Sequence, residues 1–203
     1  MPVKRKIPYT SGTFFITFTC NNWLPLIEIS NGYHIVYEWF DVLRSYGHYI
    51  NAYAIMPNHI HTLITFIDSS ISINTEIGNG KRFMAYKLVK KLKKIKDKEL
   101  LEYLQNAVEP SRKKNNKLHE IWRYSFDWKC CKSNQFKYQK LNYIHANPCK
   151  GRWKLAPSPE EYLHCSAHYY TTGIQKGYFV SHIDAMQDIP NSPPSHHSGK
   201  RPG

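Results

Sequence analysis

The 203 residues (23.9 kDa) carry a formal net charge of +13, with 41% hydrophobic, 14% aromatic and 21% charged side chains. That length suits one domain whose core needs no disulfide or metal staple to fold. No apolar run approaches the roughly 18 residues of a membrane span. The balance excludes a disulfide scaffold and a wholly disordered chain, and points to a soluble protein with a polyanionic partner.

The opening residues, MPVKRKIPYT, have a basic flank but no apolar h-region, so no signal peptide is expected. Residues 13–20 (TFFITFTC) alternate cleanly: Phe14, Ile16, Phe18 and Cys20 share one face, and Thr13, Phe15, Thr17 and Thr19 the other. The pattern predicts a strand buried mainly on one side. Residues 32–46 predict a helix, with Ile35, Trp39 and Leu43 at i, i+4 and i+8. Residues 48–56 and 59–67 predict two strands separated by the breaker pair Pro57-Asn58. Residues 80–108 predict one or two helices, 110–117 (PSRKKNNK) a loop, and 119–131 at least one strand. Residues 133–147 predict a helix with Ser133 as N-cap and Pro148 just past its end. Ser158-Pro159-Glu160-Glu161 reads as a capping box opening a helix that runs to about Thr172, where Gly173 stops it. The Pro-, Ser- and Gly-rich stretch 184–203 predicts a disordered tail, leaving one α+β domain over 1–183.

Cys20, Cys130, Cys131, Cys149 and Cys165 are odd in number and form no CxxC pair. Reduced thiols of a cytoplasmic protein are expected. The positive charge is concentrated. Residues 81–117 hold 13 lysines and arginines against 4 acids, a net +9 of the +13, whereas 184–203 sums to zero. Met84, Leu88, Leu92 and Ile95 form an apolar helical stripe, and Lys87, Lys91, Lys94 and Lys98 a basic one beside it. Acids four residues away, which would neutralise that stripe, are nearly absent, so a phosphate backbone is its expected counter-charge.

Two clusters carry chemistry. In Pro57-Asn58-His59-Ile60-His61, strand alternation puts His59 and His61 on one face and Ile60, Ile64 and Phe66 on the other. Two imidazoles roughly 7 Å apart along a strand can share a divalent metal, although such a pair more often hydrogen-bonds in place. In the helix 133–147, Tyr143 and Asn147 stand at i and i+4 on one face. A helical tyrosine is usually core, but Phe136, Leu141 and Ile144 already supply the apolar stripe. Asn147 has two readings, a helix C-cap or an oxygen ligand for a hard cation.

With the later Tyr-Ile-His-Ala-Asn-Pro (143–148), these residues resemble the Y1 HUH single-strand DNA transposases of the IS200/IS605-like type, and among them the REP-associated tyrosine transposases. TFFITFTC, WRYSFD (122–127) and Ser166, Ala167 and Tyr170 extend the resemblance over roughly 8–172. It implies an antiparallel sheet of ferredoxin-like (HUH/RRM-like palm) topology covered by helices. It also implies His59 and His61 as the HUH pair, Asn147 as third ligand of Mg²⁺ or Mn²⁺, and Tyr143 as the nucleophile forming a 5′-phosphotyrosine. The implied substrate is single-stranded DNA folded as a hairpin, cut and rejoined without ATP. DNA contacts are expected from Lys87, Lys91, Lys94, Arg112, Lys113, Lys114 and Trp122, with Tyr86, Tyr124, Phe126 and Trp128 as further stacking candidates. His145, two residues past Tyr143, is expected to be structural or DNA-facing; Asp127 matches an acidic position without an evident role.

Where the family often continues NPVxxGL, this chain has NPCKGRW, a change at the helix exit. Tyr138 lies five residues before Tyr143, off its helix face, so one tyrosine is expected to act. A cis-acting monomer is mildly favoured over a trans-acting homodimer. Two other readings remain: a non-catalytic or regulatory nucleic-acid-binding protein of the same fold, and structural zinc held by the histidines with Cys20 or Cys165.

Overall fold

Gly12–Thr19 forms strand β1, and its alternation sorts side chains into two separate hydrophobic clusters. Phe14, Ile16, Phe18 and Cys20 enter one, and Phe15 enters the other. The expectation of a strand buried mainly on one side is corrected, because Thr13 and Thr19 are buried too. The structure, a computed structural model, describes residues 6–68, 71–113, 117–151 and 153–193.

After β1 come a short helix Leu26–Ile29 (α1), helix Tyr33–Ser45 (α2), and strands Tyr49–Ile55 (β2) and His59–Phe66 (β3). Helices Ile73–Lys94 (α3), Lys98–Asn106 (α4) and Pro110–Lys113 (α5), strand Asp127–Cys130 (β4), and helices Asn134–Ala146 (α6) and Ala167–Thr172 (α7) follow. The strands form one antiparallel sheet in the order β2-β3-β1-β4. Helical connections join β1 to β2 and β3 to β4, which gives the expected ferredoxin-like α+β topology. The β1–β3 register sets Thr19 opposite His59 and Thr17 opposite His61.

One sheet face packs against α2 and α3 through Trp39, Phe40, Leu43, Ile77, Met84 and Leu88. Ile95, expected to extend the α3 stripe, is 52% exposed beyond its end. Helix α3 begins seven residues before the expected start at 80, capped by Ser72, whose Oγ accepts from the Thr75 amide. Gly78 and Gly80 hide this from sequence, since glycine weakens a helical signal. Gly80 has a packing reason: a Cβ there would sit 2.1 Å from Trp39 Nε1. Gly80→Ala gains about 1 kcal/mol of helix propensity but overpacks the Trp39 contact at a cost of about 1–3 kcal/mol. The expected result is a lower thermal midpoint; a raised one would contradict the close approach.

The opposite face is covered by α6, whose Leu141 and Ile144 meet Phe15, Ala52, Ala54 and Leu63. Ser133 caps α6 as expected, accepting from the Phe136 amide at 3.2 Å. The helix expected from Ser158 to Thr172 is corrected. Only a 3-10 turn forms at Pro159–Glu161, and α7 starts afresh at Ala167. Between them the backbone pairs with β2: the Ile55 amide donates to His164 O at 2.9 Å and the Ser166 amide to Tyr53 O at 3.0 Å. Those sheet-edge bonds and the burial of Cys165 outweigh the local capping signal.

The tail expectation is also corrected over 184–193. A 3-10 turn spans Ile183–Met186, with both end residues buried. Tyr138 Oη donates to the Asp184 carboxylate, and the Thr10 amide donates to Ser192 O at 3.0 Å. These anchors replace the apolar content the composition lacks. Residues 194–203 lie outside the described residues. Among the described residues no helix is long and apolar enough to cross a membrane.

Candidate active site

The breaker pair Pro57-Asn58 turns the chain into β3, and the Cys20 amide bonds Asn58 O at 2.8 Å, tying the turn to the end of β1. His59 and His61 then emerge on the α6 side of the sheet, both buried, with ring centroids 4.7 Å apart. Each ring is oriented by a neighbour: His59 Nδ1 lies 2.6 Å from Asn58 Oδ1, and His61 Nδ1 lies 2.8 Å from Thr17 Oγ1. Thr17 reaches His61 because the β1–β3 register sets them opposite each other. Burial lowers the His59 pKa to about 4. Burial also lowers that of His61 to about 3, helped by His59 and Lys140 and opposed by its hydrogen bond to Asn147. Both imidazoles are therefore neutral at pH 7, the state in which a ring nitrogen donates its lone pair. With each Nδ1 engaged by Asn58 or Thr17, Nε2 is the nitrogen through which either ring would bind a ligand.

Asn147 follows α6 directly at the start of a 3-10 turn, with φ −60° and ψ −44°. That is ordinary helical backbone, so no left-handed cap demands asparagine here. Its Nδ2 donates to Tyr143 O at 2.6 Å, and its side chain hydrogen-bonds His61. Tyr143 is half-exposed, edge-on to Phe15 at 5.7 Å and to His61 at 5.3 Å between ring centroids. The two histidines, Asn147 and Tyr143 thus line one cleft of about 760 Å³. Two imidazoles and an amide oxygen suit a borderline-to-hard divalent ion with positions left open for substrate oxygens.

Sequence reasoning missed several residues of this cleft. Trp23 is half-exposed and edge-on to His59 at 5.9 Å, and the Arg123 guanidinium lies 5.7 Å from its ring. Beside the cleft, Lys140 sits one turn before Tyr143, its Nζ 5.6 Å from the phenol ring and 5.0 Å from that of Phe15. Its i, i+3 spacing from Tyr143 was the readable signal. Trp153 and Lys150 complete the rim, and Asp127 faces the same cleft.

Other candidates fall elsewhere. Trp122 is buried, donating Nε1 to Lys81 O at 3.0 Å, so its role as a base-stacking residue is corrected. Lys87 Nζ lies 2.7 Å from Glu38 and Lys91 Nζ donates to Asn31 O at 3.0 Å, so this stripe is partly spent on α2 and the turn before it. Lys94 and Lys113 are exposed, and Arg112 pairs with Glu120 at 2.7 Å. Lys114 lies outside the described residues. His145 Nε2 is 2.9 Å from Ser166 Oγ, a structural contact joining α6 to the 164–166 segment. Tyr138, bonded to Asp184, is absent from the cleft lining. The zinc reading fails on geometry: Cys20 belongs to the cluster on the other face of β1, and among the described residues no three His, Cys, Asp or Glu converge.

The fold has a solved counterpart. It matches a REP-associated tyrosine transposase bound to a REP hairpin, with a TM-score of 0.59 and 16% identity over 89% of this chain and 92% of that one. A Deinococcus radiodurans protein assigned as a transposase aligns with a TM-score of 0.40 and 16% identity over 71% of this chain and 95% of that one. No family model and no curated protein matches the chain.

Proposed function

We propose that this protein is a tyrosine transposase of the Y1 HUH type, working in the cytoplasm, that cuts and rejoins hairpin-bearing single-stranded DNA through a covalent Tyr143 intermediate. The observation that carries this reading is the meeting of Tyr143, His59, His61 and Asn147 in one cleft of one chain. The solved counterpart is itself a tyrosine transposase holding a hairpin. Because Tyr143 touches the His61 of its own chain, the geometry favours a cis-acting monomer.

The site fits a divalent cation, Mg²⁺ or Mn²⁺. His59 and His61 would hold it through Nε2 and Asn147 through Oδ1, and it would supply Lewis-acid polarisation of the scissile phosphate. Tyr143 Oη then bonds to phosphorus as the P–O3′ bond breaks. The phenol proton passes to solvent, and the departing oxygen takes one up to become a free 3′-OH, leaving a 5′-phosphotyrosine. Rejoining is the reverse attack by a 3′-OH, so bond energy is conserved. Lys140 adds positive charge beside the phenol, and half-exposed Trp23 offers an unpaired base a stacking face.

The test is a denaturing gel of the protein with end-labelled, hairpin-bearing single-stranded DNA and Mn²⁺. A protein–DNA band that survives denaturation supports the reading. No band with any hairpin from the flanks of its own gene, across metals, would sink it and leave a non-catalytic DNA-binding protein. The orientation of the histidines gives a milder test. Thr17→Val removes the hydroxyl that holds His61 Nδ1 and is expected to weaken Mn²⁺ binding about 10- to 100-fold, measured by electron paramagnetic resonance of free Mn²⁺. An unchanged Mn²⁺ affinity would deny Thr17 that positioning role.

A further inference from the structure

A second groove, of about 650 Å³, runs between α3 and the 117–126 segment. Its floor is apolar, built from Ala85, Val89, Ile121 and Phe126. Around it stand Arg82, Lys90, Lys93, Arg112, Lys117 and Arg123. Glu120 is the one acid in this lining, and Arg112 and Lys117 hold its two oxygens at 2.7 and 2.5 Å. Two tyrosines stand at the mouth, Tyr86 70% and Tyr124 80% exposed. Rings that exposed contribute little to the core, yet the Arg112 guanidinium lies 4.8 Å from the Tyr124 ring, presenting a face backed by charge.

Arg82, Tyr86, Val89, Lys90 and Lys93 recur at helical spacing along one side of α3. This is a different stripe from Lys87 and Lys91, whose ammonium groups are engaged by Glu38 and Asn31. On α3, Arg82, Lys90 and Lys93 face the groove. An apolar floor, exposed aromatic faces and a surplus of cations together match an unpaired nucleotide: base on the rings, phosphate on the lysines. An acidic peptide would use the charge but not the rings.

We propose that this groove binds an unpaired stretch of the same DNA strand that is cut at Tyr143. Arg123 lines both this groove and the catalytic cleft, so a strand leaving one can enter the other past the Trp23 edge. The proposal rests on the strand-cleavage reading above, but its test does not need cleavage.

The probe is an oligodeoxythymidine 20-mer carrying 5-bromodeoxyuridine, irradiated with the full chain in EDTA so that no strand is cut. Mass spectrometry of the cross-linked peptides is expected to find Tyr86 or Tyr124, in the native protein and in Tyr143→Phe alike. The surface double variant Tyr86→Ala/Tyr124→Ala should bind the 20-mer about 10-fold more weakly. Arg82→Gln/Lys90→Gln/Lys93→Gln should flatten the salt dependence of binding by up to about one unit of slope for each phosphate no longer neutralised. Lys87→Gln/Lys91→Gln should change it far less.

Cross-links confined to Trp23 and Tyr143, with unchanged affinity in the tyrosine double variant, overturn the groove. Competition by polyglutamate as strong as by the unlabelled 20-mer also overturns it, because charge alone would then explain binding. Groove cross-links without any Tyr143 adduct in Mn²⁺ would support the groove while sinking the cleavage reading.

Discussion

Tyr143→Phe is expected to abolish the covalent protein–DNA adduct while leaving strand binding within about threefold. The substitution removes one oxygen and keeps the ring, whose packing comes from its edges and faces against Phe15 and His61 rather than from its hydroxyl. Covalent catalysis has no partial form when the nucleophilic atom is missing, so the loss is expected to be complete within detection. Tyr138 cannot stand in, because its hydroxyl is committed to Asp184 outside the cleft. An adduct persisting in Tyr143→Phe would require a different nucleophile.

The next largest effect is expected at the histidines. His59→Ala should lower Mn²⁺-dependent cleavage by about 10²- to 10⁴-fold, since a bound cation's charge stabilisation amounts to several kcal/mol. His59 is buried, so its loss also leaves a hole beside Trp23. His59→Gln keeps most of that volume without the imidazole, and the two variants should lose cleavage alike while differing in thermal midpoint. Equal cleavage in the native protein and His59→Gln, at saturating strand and low Mn²⁺, would remove the metal role from this histidine. Neutrality of the pair at pH 7 follows from burial, which keeps the lone pairs available without a carboxylate partner.

Much of this was legible in the chain. β1 announced itself by period-two alternation, the breaker pair Pro57-Asn58 marked the start of β3, and Ser133 that of α6, so the HxH pair and the Tyr143–Asn147 helix face could be placed from the residues alone. What brings those two elements together is the antiparallel pairing of β1 with β3 and the burial of Leu141 and Ile144 beneath them, and neither is a local property. The failures have the same origin. Ser158 carried a sound capping signal, but a bridge from Cys165 to Ala54 of β2 holds residues 164–166 against the sheet edge. Gly80 weakened the start of α3 locally and is needed there because Trp39 fills the space a side chain would take. The basic stripe was counted correctly as charge and partly misassigned as surface, because Glu38 and Asn31 come from distant sequence to meet Lys87 and Lys91. Trp23 carried no motif and Arg123 stood only within WRYSFD; they enter the cleft through the turn after β1 and the segment before β4.

The most direct measurement of the central claim is the chemical address of the DNA on the protein. The adduct formed with hairpin-bearing single-stranded DNA and Mn²⁺ would be digested with nuclease and protease and sequenced by tandem mass spectrometry. A nucleotide joined through its 5′-phosphate to Tyr143, in the peptide containing YIHANP, is the predicted result. A nucleotide on any other residue, or joined through its 3′-phosphate, would contradict it.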